Sequence, residues 1–166
     1  MAKGCAPSAE SWGASMRAVV QRCRAARVSV AGRQIAEIGH GLCAFVAVGR
    51  GDDHADAQYL ADKLIGLRVF AGPGSDARMT ASVGDVCGAI LVVPQFTLYG
   101  DVRHGLRPAF TEAAPPEQGR ELLDVLGAVL STRGIIPAQG VFGADMRVEV
   151  INDGPVTILL DSRRLF

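Results

Sequence analysis

Short apolar, β-branched runs separated by polar or glycine-rich breaks make up most of this chain, and two longer stretches depart from them with a helical period. "RAVVQRC" and "ARVSVAG" predict strands, since Val28 and Val30 alternate with polar neighbours. Gly32 predicts a turn into "RQIAEI". "GLCAFVAV" and "VCGAILVV" are continuous apolar runs of strand length, which predicts burial on both faces. Asp52 and Asp53 precede a helical pattern that runs to about Leu67, with Leu60, Ala61, Leu64 and Ile65 at a 3.6-residue period. "AGPGSDA" predicts a loop. A second helix is expected after Pro115-Pro116, with Leu122, Leu123, Leu126, Val129 and Leu130 on one face and Gly134 as its stop. Near the end, two apolar runs bracket Asn152-Asp153-Gly154-Pro155 and predict two strands joined by a turn. Many strands and two helices, without regular alternation, predict an α+β fold.

At 166 residues, with about half of them apolar, the chain is one domain with a real core. The first fifteen residues are small, polar and patternless, so residues 1–15 are expected to be a flexible extension and residues 16–166 the folded domain. No stretch is long enough to span a membrane. Formal net charge is zero, which excludes a global pull toward nucleic acid. Locally, Arg17, Arg22, Arg24, Arg27 and Arg33 fall in a stretch without acids, and Arg163 and Arg164 stand near the C-terminus; the two groups form a basic patch if these ends meet in space, or else are solvated strand-edge arginines. Cys5, Cys23, Cys43 and Cys87 form no C-x-x-C pair, so no zinc site is expected. Cys23, Cys43 and Cys87 lie in apolar runs and are expected to be buried thiols in a reducing cytoplasm. "GPGSDAR" lacks the ending of a phosphate loop, and no G-x-S-x-G elbow is present. His40, His54 and His104 have no evident Ser or Cys partner, so side-chain nucleophilic catalysis has little support.

Two stretches carry a more specific signal. "VVPQFTLYGD" (Val92 to Asp101) and "NDGPVT" (Asn152 to Thr157) resemble the two signature motifs of the D-aminoacyl-tRNA deacylases. "MRAVVQRC" resembles that family's opening strand, "RHGLRPAF" its Arg-Pro-Ser-Phe segment, and "GVFGADMRVEVINDGPVT" is close to it throughout. The resemblance covers Met16 to Leu160. It implies a compact β-barrel-like antiparallel sheet with two main helices outside, a homodimer, and a cytoplasmic, metal-independent hydrolase without a cofactor. The substrate implied is the ester between a D-amino acid and the 3′ end of tRNA, or glycine charged in error. The implied Gly-Pro peptide is cis and reaches the partner subunit's site.

The residues fit such chemistry. An aminoacyl ester beside a ribose hydroxyl needs positioning and oxyanion stabilisation, which backbone N–H groups at Gln95, Phe96 and Thr97 can supply. Thr97 is read either as a substrate-facing hydroxyl or as a strand residue bonded to backbone. X-Pro has ready access to cis, and Gly154-Pro155 is read as a rigid wall that collides with an L side chain, or else as a plain type VI turn. Val156 and Thr157 complete that substrate-binding motif. Arg22 is expected to hold the Gly-Pro carbonyls, against a bland reading as a surface arginine. Phe110 and Met79 match family residues near the substrate, though core packing accounts for either. Pro94 stands where the main family has serine, and it loses a hydroxyl and a backbone donor. A sister branch with relaxed chirality, which clears misplaced L-alanine, also has Pro-Gln here. A non-catalytic tRNA-binding module is the third reading.

Overall fold

The computed structural model describes residues 15–72, 74 and 79–165. Eight strands and two helices are present among them: β1 (Arg17–Val30), β2 (Arg33–Ile38), β3 (Gly41–Ala47), α1 (His54–Gly66), β4 (Phe70–Ala71), β5 (Met79–Ala81), β6 (Ala89–Pro94), α2 (Pro116–Thr132), β7 (Ala138–Gln139) and β8 (Arg147–Asp161). A 3-10 turn, Phe96–Tyr99, follows β6.

The two runs expected as separate opening strands form one continuous strand. Along one edge β1 pairs first with β3 and then with β2, and along the other edge it pairs with β8 over nearly its whole length. β6 and β7 extend the sheet beyond β3, and β2 lies close to both, so the sheet curls into a nearly closed barrel. The expected antiparallel sheet is corrected to a mixed one, since β3–β6 and β6–β7 are parallel. The cause is chain order: α1 connects β3 toward β6, and α2 connects β6 to β7, and such crossovers return the chain in its original direction.

Continuous apolar runs are explained by two cores. Leu42, Ala44, Val46, Ile90 and Val92 face the helices, where they meet Leu60, Leu64, Leu126 and Leu130. Their neighbours Cys43, Leu91 and Val93 face the other way, onto Val28 and Ile38. Period two then demands apolar residues at every position. Asp53 caps α1 in a reciprocal box with Asp56, whereas its neighbour Asp52 is buried. Gly134 closes α2 at φ +91°, and Ile135 N donates to Leu130 O at 3.0 Å, a Schellman stop.

Three other expectations change. The segments flanking Gly154-Pro155 do not pair with each other as a hairpin; both pair with β1, within one strand. The β1 arginines make no basic patch, because β8 supplies acids opposite them: Arg17–Asp161, Arg22–Asp153, Arg24–Asp153 and Arg27–Glu149. Cys87 is exposed at φ +50°, in a turn before β6, while Cys23 and Cys43 are buried. Burial pushes the Cys23 thiol up to about 11 and that of Cys43 to about 12, so both stay protonated. Cys5 and residues 1–14 lie outside the described residues. Ser15, the last residue of the expected extension, is buried, and its Oγ donates to Asp161 Oδ2 at 2.6 Å.

Candidate functional site

The first motif ends β6. Pro94 sits opposite Val46 of β3, and its missing N–H costs nothing there because the next amide, Gln95 N, donates to Val46 O at 2.8 Å. The chain then enters the 3-10 turn, whose first N–H groups have no acceptor within the turn. Gln95's amide is engaged with β3, so Phe96 and Thr97 hold the turn's open donors. Gln95 Nε2 donates to Thr97 Oγ1. The far end of the turn is fixed by Tyr99, which is buried, donates its hydroxyl to Ser15 O and carries the Arg17 guanidinium 4.6 Å over its ring.

Beside this turn lies a cleft of about 810 Å³, walled by Pro94, Gln95, Phe96, Phe110, Phe142 and Met146 among others. That volume suits a small-molecule fragment such as an aminoacyl nucleoside. Phe96 and Phe110 meet edge to face with centroids 5.2 Å apart. Phe142 packs where a Cβ of Gly119 would stand, 3.2 Å away, so that glycine lets the ring close on α2. Among the described residues, Arg50 and Asp145 are the only charged ones that line the cleft. Two residues beyond Arg50 in the chain, the buried Asp52 accepts from Gly49 N at 2.6 Å through Oδ2, while its Oδ1 has no partner among the described residues. Burial pushes its carboxyl up to about 7.

The second motif forms a bulge in β8. Gln21 pairs with Thr157 and Cys23 with Asn152, so Arg22 alone faces the four residues Asp153 to Val156. Its Nε donates to Asp153 O at 3.0 Å, and its Nη1 donates to Val69 O. Gly154 has φ +133°, and a Cβ there would lie 2.8 Å from Val156 Cγ2, so no other residue fits. The Gly154–Pro155 bond is cis. Asn152 clasps the base of the bulge: Oδ1 accepts from Val156 N at 2.9 Å, and Nδ2 reaches Val156 O and Thr157 Oγ1 at 3.3 and 3.2 Å. Gln21 Nε2 donates to the same Thr157 hydroxyl at 3.3 Å. Val156 is buried, and Gly154 and Pro155 are exposed.

The expected site residues thus fall into groups. Pro94, Gln95, Phe96 and Phe110 line one cleft, with Thr97 on the adjoining turn. Gly154, Pro155, Val156, Thr157 and Arg22 form the bulge, which does not line that cleft. Met79 stands apart, half-exposed on β5 opposite Ala71. Val69 and Phe142 take part in this geometry without having been singled out in the sequence, and Asn152 and Asp153 were named there as part of the second motif with no role of their own. For Asn152 a signal existed, an amide side chain four residues before the amide that it accepts from. The Val69 carbonyl carries none.

The family model for D-Tyr-tRNA(Tyr) deacylase matches residues 19–161. A D-aminoacyl-tRNA deacylase of Anaeromyxobacter dehalogenans is 51% identical over 151 residues, which cover 91% of this chain and all of that protein. One of Thermotoga petrophila is 50% identical, with the same coverage. A solved structure of a c-Myc DNA unwinding element binding protein superposes with a TM-score of 0.80 at 38% identity, over 87% of this chain and 97% of the other. On the match across residues 19–161 and half-identity over full-length relatives, the chain belongs to the D-Tyr-tRNA(Tyr) deacylase family.

Proposed function

We propose that this protein is a D-aminoacyl-tRNA deacylase, a hydrolase of the ester between a D-amino acid and the 3′-terminal ribose of tRNA. The family match over residues 19–161 carries the reading. The cleft supports it chemically, with apolar walls for the terminal nucleoside and amino acid and open amides at Phe96 and Thr97 for a developing oxyanion. The ribose 2′-hydroxyl of the substrate assists the attack of water, so no titrating protein side chain is required. Thr97, with its hydroxyl accepting from Gln95, positions rather than attacks.

Chirality is read by shape. Both enantiomers carry the same groups on Cα, so the discriminating element is a rigid wall, and Gly154-Pro155 supplies it. Two features support this role: the pair is exposed, and Arg22 and Asn152 pin the bulge from behind. Because the bulge does not line its own subunit's cleft, the wall is delivered in a homodimer, with Gly154-Pro155 of one subunit entering the cleft of its partner. An L side chain then meets the wall, a D side chain points away, and glycine passes. Purified protein at catalytic amounts is expected to discharge D-Tyr-tRNA and leave L-Tyr-tRNA intact. D-Tyr-tRNA surviving enzyme at concentrations equal to the tRNA would sink the proposal.

Pro94 on the cleft wall favours a second reading, a relaxed-chirality deacylase acting on L-alanine misplaced on tRNA. Parallel assays on D-Ala-tRNA and L-Ala-tRNA separate the two, since only the relaxed enzyme consumes both.

A further inference from the structure

A single loop carries Arg103, His104 and Arg107 to the lip of the cleft, with Arg103 paired to Asp101. It leaves the 3-10 turn at Gly100 and is pinched shut by the bridge between Asp101 and Ala109. It then returns into Phe110, so it springs from the two aromatic residues, Phe96 and Phe110, that form one wall. Residues 102–109 are all exposed, and Leu106 is fully so. Within it stand Arg103, His104 and Arg107. Arg103 is held by Asp101 through two parallel bonds, at 2.9 and 2.7 Å, which fix its guanidinium while leaving donors free. His104 and Arg107 make no ion pair among the described residues.

Among the described arginines, Arg33, Arg50, Arg107, Arg120, Arg147, Arg163 and Arg164 make no ion pair, and of these Arg107 stands on the loop that rises from the Phe96–Phe110 wall, while Arg120 lies over Phe142. The arginines of β1 face acids on β8, and Arg68 and Arg133 are paired with Asp85 and Asp62. Arg50, on the cleft, donates to Thr111 O. With a formal net charge of zero, the protein has no general attraction for a polyanion, so contact with one depends on such local groups. A cleft of about 810 Å³ suits a terminal aminoacyl nucleoside, and the preceding nucleotides of an RNA then lead out across its rim.

We infer that the 102–108 loop is an RNA-backbone contact, in which Arg107 and Arg103 bind phosphates of the single-stranded nucleotides preceding the 3′-terminal one. The inference rests on the proposed aminoacyl-tRNA substrate. Phosphate contacts position a nucleic acid without reading its sequence, which suits an enzyme that meets many tRNAs.

The test compares full-length D-Tyr-tRNA with the ester of D-tyrosine and adenosine, which lacks those phosphates. For Arg107→Ala, kcat/KM on the tRNA is expected to fall about tenfold, mainly through KM. The slope of log(kcat/KM) against log[salt] should shrink by roughly 0.7 to 0.9 per lost phosphate contact. Hydrolysis of the adenosine ester should stay within about twofold, and Arg107→Lys should restore most activity on tRNA. The double variant Arg103→Ala/His104→Ala should behave like Arg107→Ala. Equal losses on both substrates would assign the loop to the cleft's own shape, and no loss on tRNA would leave it for another partner, such as a protein gripping Leu106; either result overturns the inference. Failure of the wild type to cleave either ester would instead overturn the proposed activity.

Discussion

Arg22 Nε lies 3.0 Å from the carbonyl oxygen of Asp153, the residue that leads into Gly154-Pro155. Its Nη1 holds a second carbonyl, that of Val69, so one guanidinium joins the β8 bulge to the segment entering β4. Arg22→Ala leaves both carbonyls without this donor. Deacylation of D-Tyr-tRNA should fall at least about tenfold, the equivalent of one lost hydrogen bond to a charged group. Arg22→Lys should recover only part of it, because an ammonium lacks the planar fork that spans two acceptors. Rate measurements paired with thermal melts check both, with folding retained.

Asn152 ties the base of the same bulge through three bonds. Asn152→Ala frees the Val156 amide beside a buried side chain and should cost about 1–3 kcal/mol. A urea titration that shows no change in midpoint would contradict this.

Thr97→Ala should keep much of the wild-type kcat on D-Tyr-tRNA, since the proposed chemistry runs on backbone amides and the substrate's hydroxyl. Complete loss of turnover in a folded variant would mean that the Thr97 side chain is itself catalytic.

Asp52 gives stability a pH dependence of definite sign. Its carboxyl titrates near 7 in the folded protein and near 3.8 unfolded, because burial disfavours the charge. The unfolded chain therefore releases this proton first. The contribution is fully present below about pH 4 and is lost as pH rises through 7. Asp52→Asn removes the ionisation, and relative to wild type it should gain on the order of 2–4 kcal/mol between pH 5 and pH 8. Melting curves at both pH values measure the difference, and parallel changes in the two proteins would refute it.

Gly41 faces β6 so closely that a Cβ would lie 1.9 Å from Ala89 O. Backbone cannot yield as a side-chain tip can, so Gly41→Ala should push β3 and β6 apart and destabilise by about 3 kcal/mol or more. Soluble yield and melting temperature report it.

The sequence by itself determined both helices and the buried runs of the central strands, but not where the first and last strands begin and end. The leucines of α2 at helical spacing, the caps at Asp53 and Gly134, and the doubly buried runs of β3 and β6 follow from local periodicity and turn chemistry, which are properties of neighbours in the chain. The two motifs were legible because they are short and contiguous. Pairing was not. The direction of β6 against β3 depends on where the intervening helix packs, and the supposed hairpin at Gly154-Pro155 became a bulge because both its flanks found β1 before each other. Only tertiary contact buried Asp52, set β8 acids against β1 arginines, and enlisted the carbonyl of Val69, more than forty residues from Arg22. A carbonyl is present at every residue, so composition cannot mark the one that matters; its role exists only once long-range pairing brings a partly buried guanidinium to it.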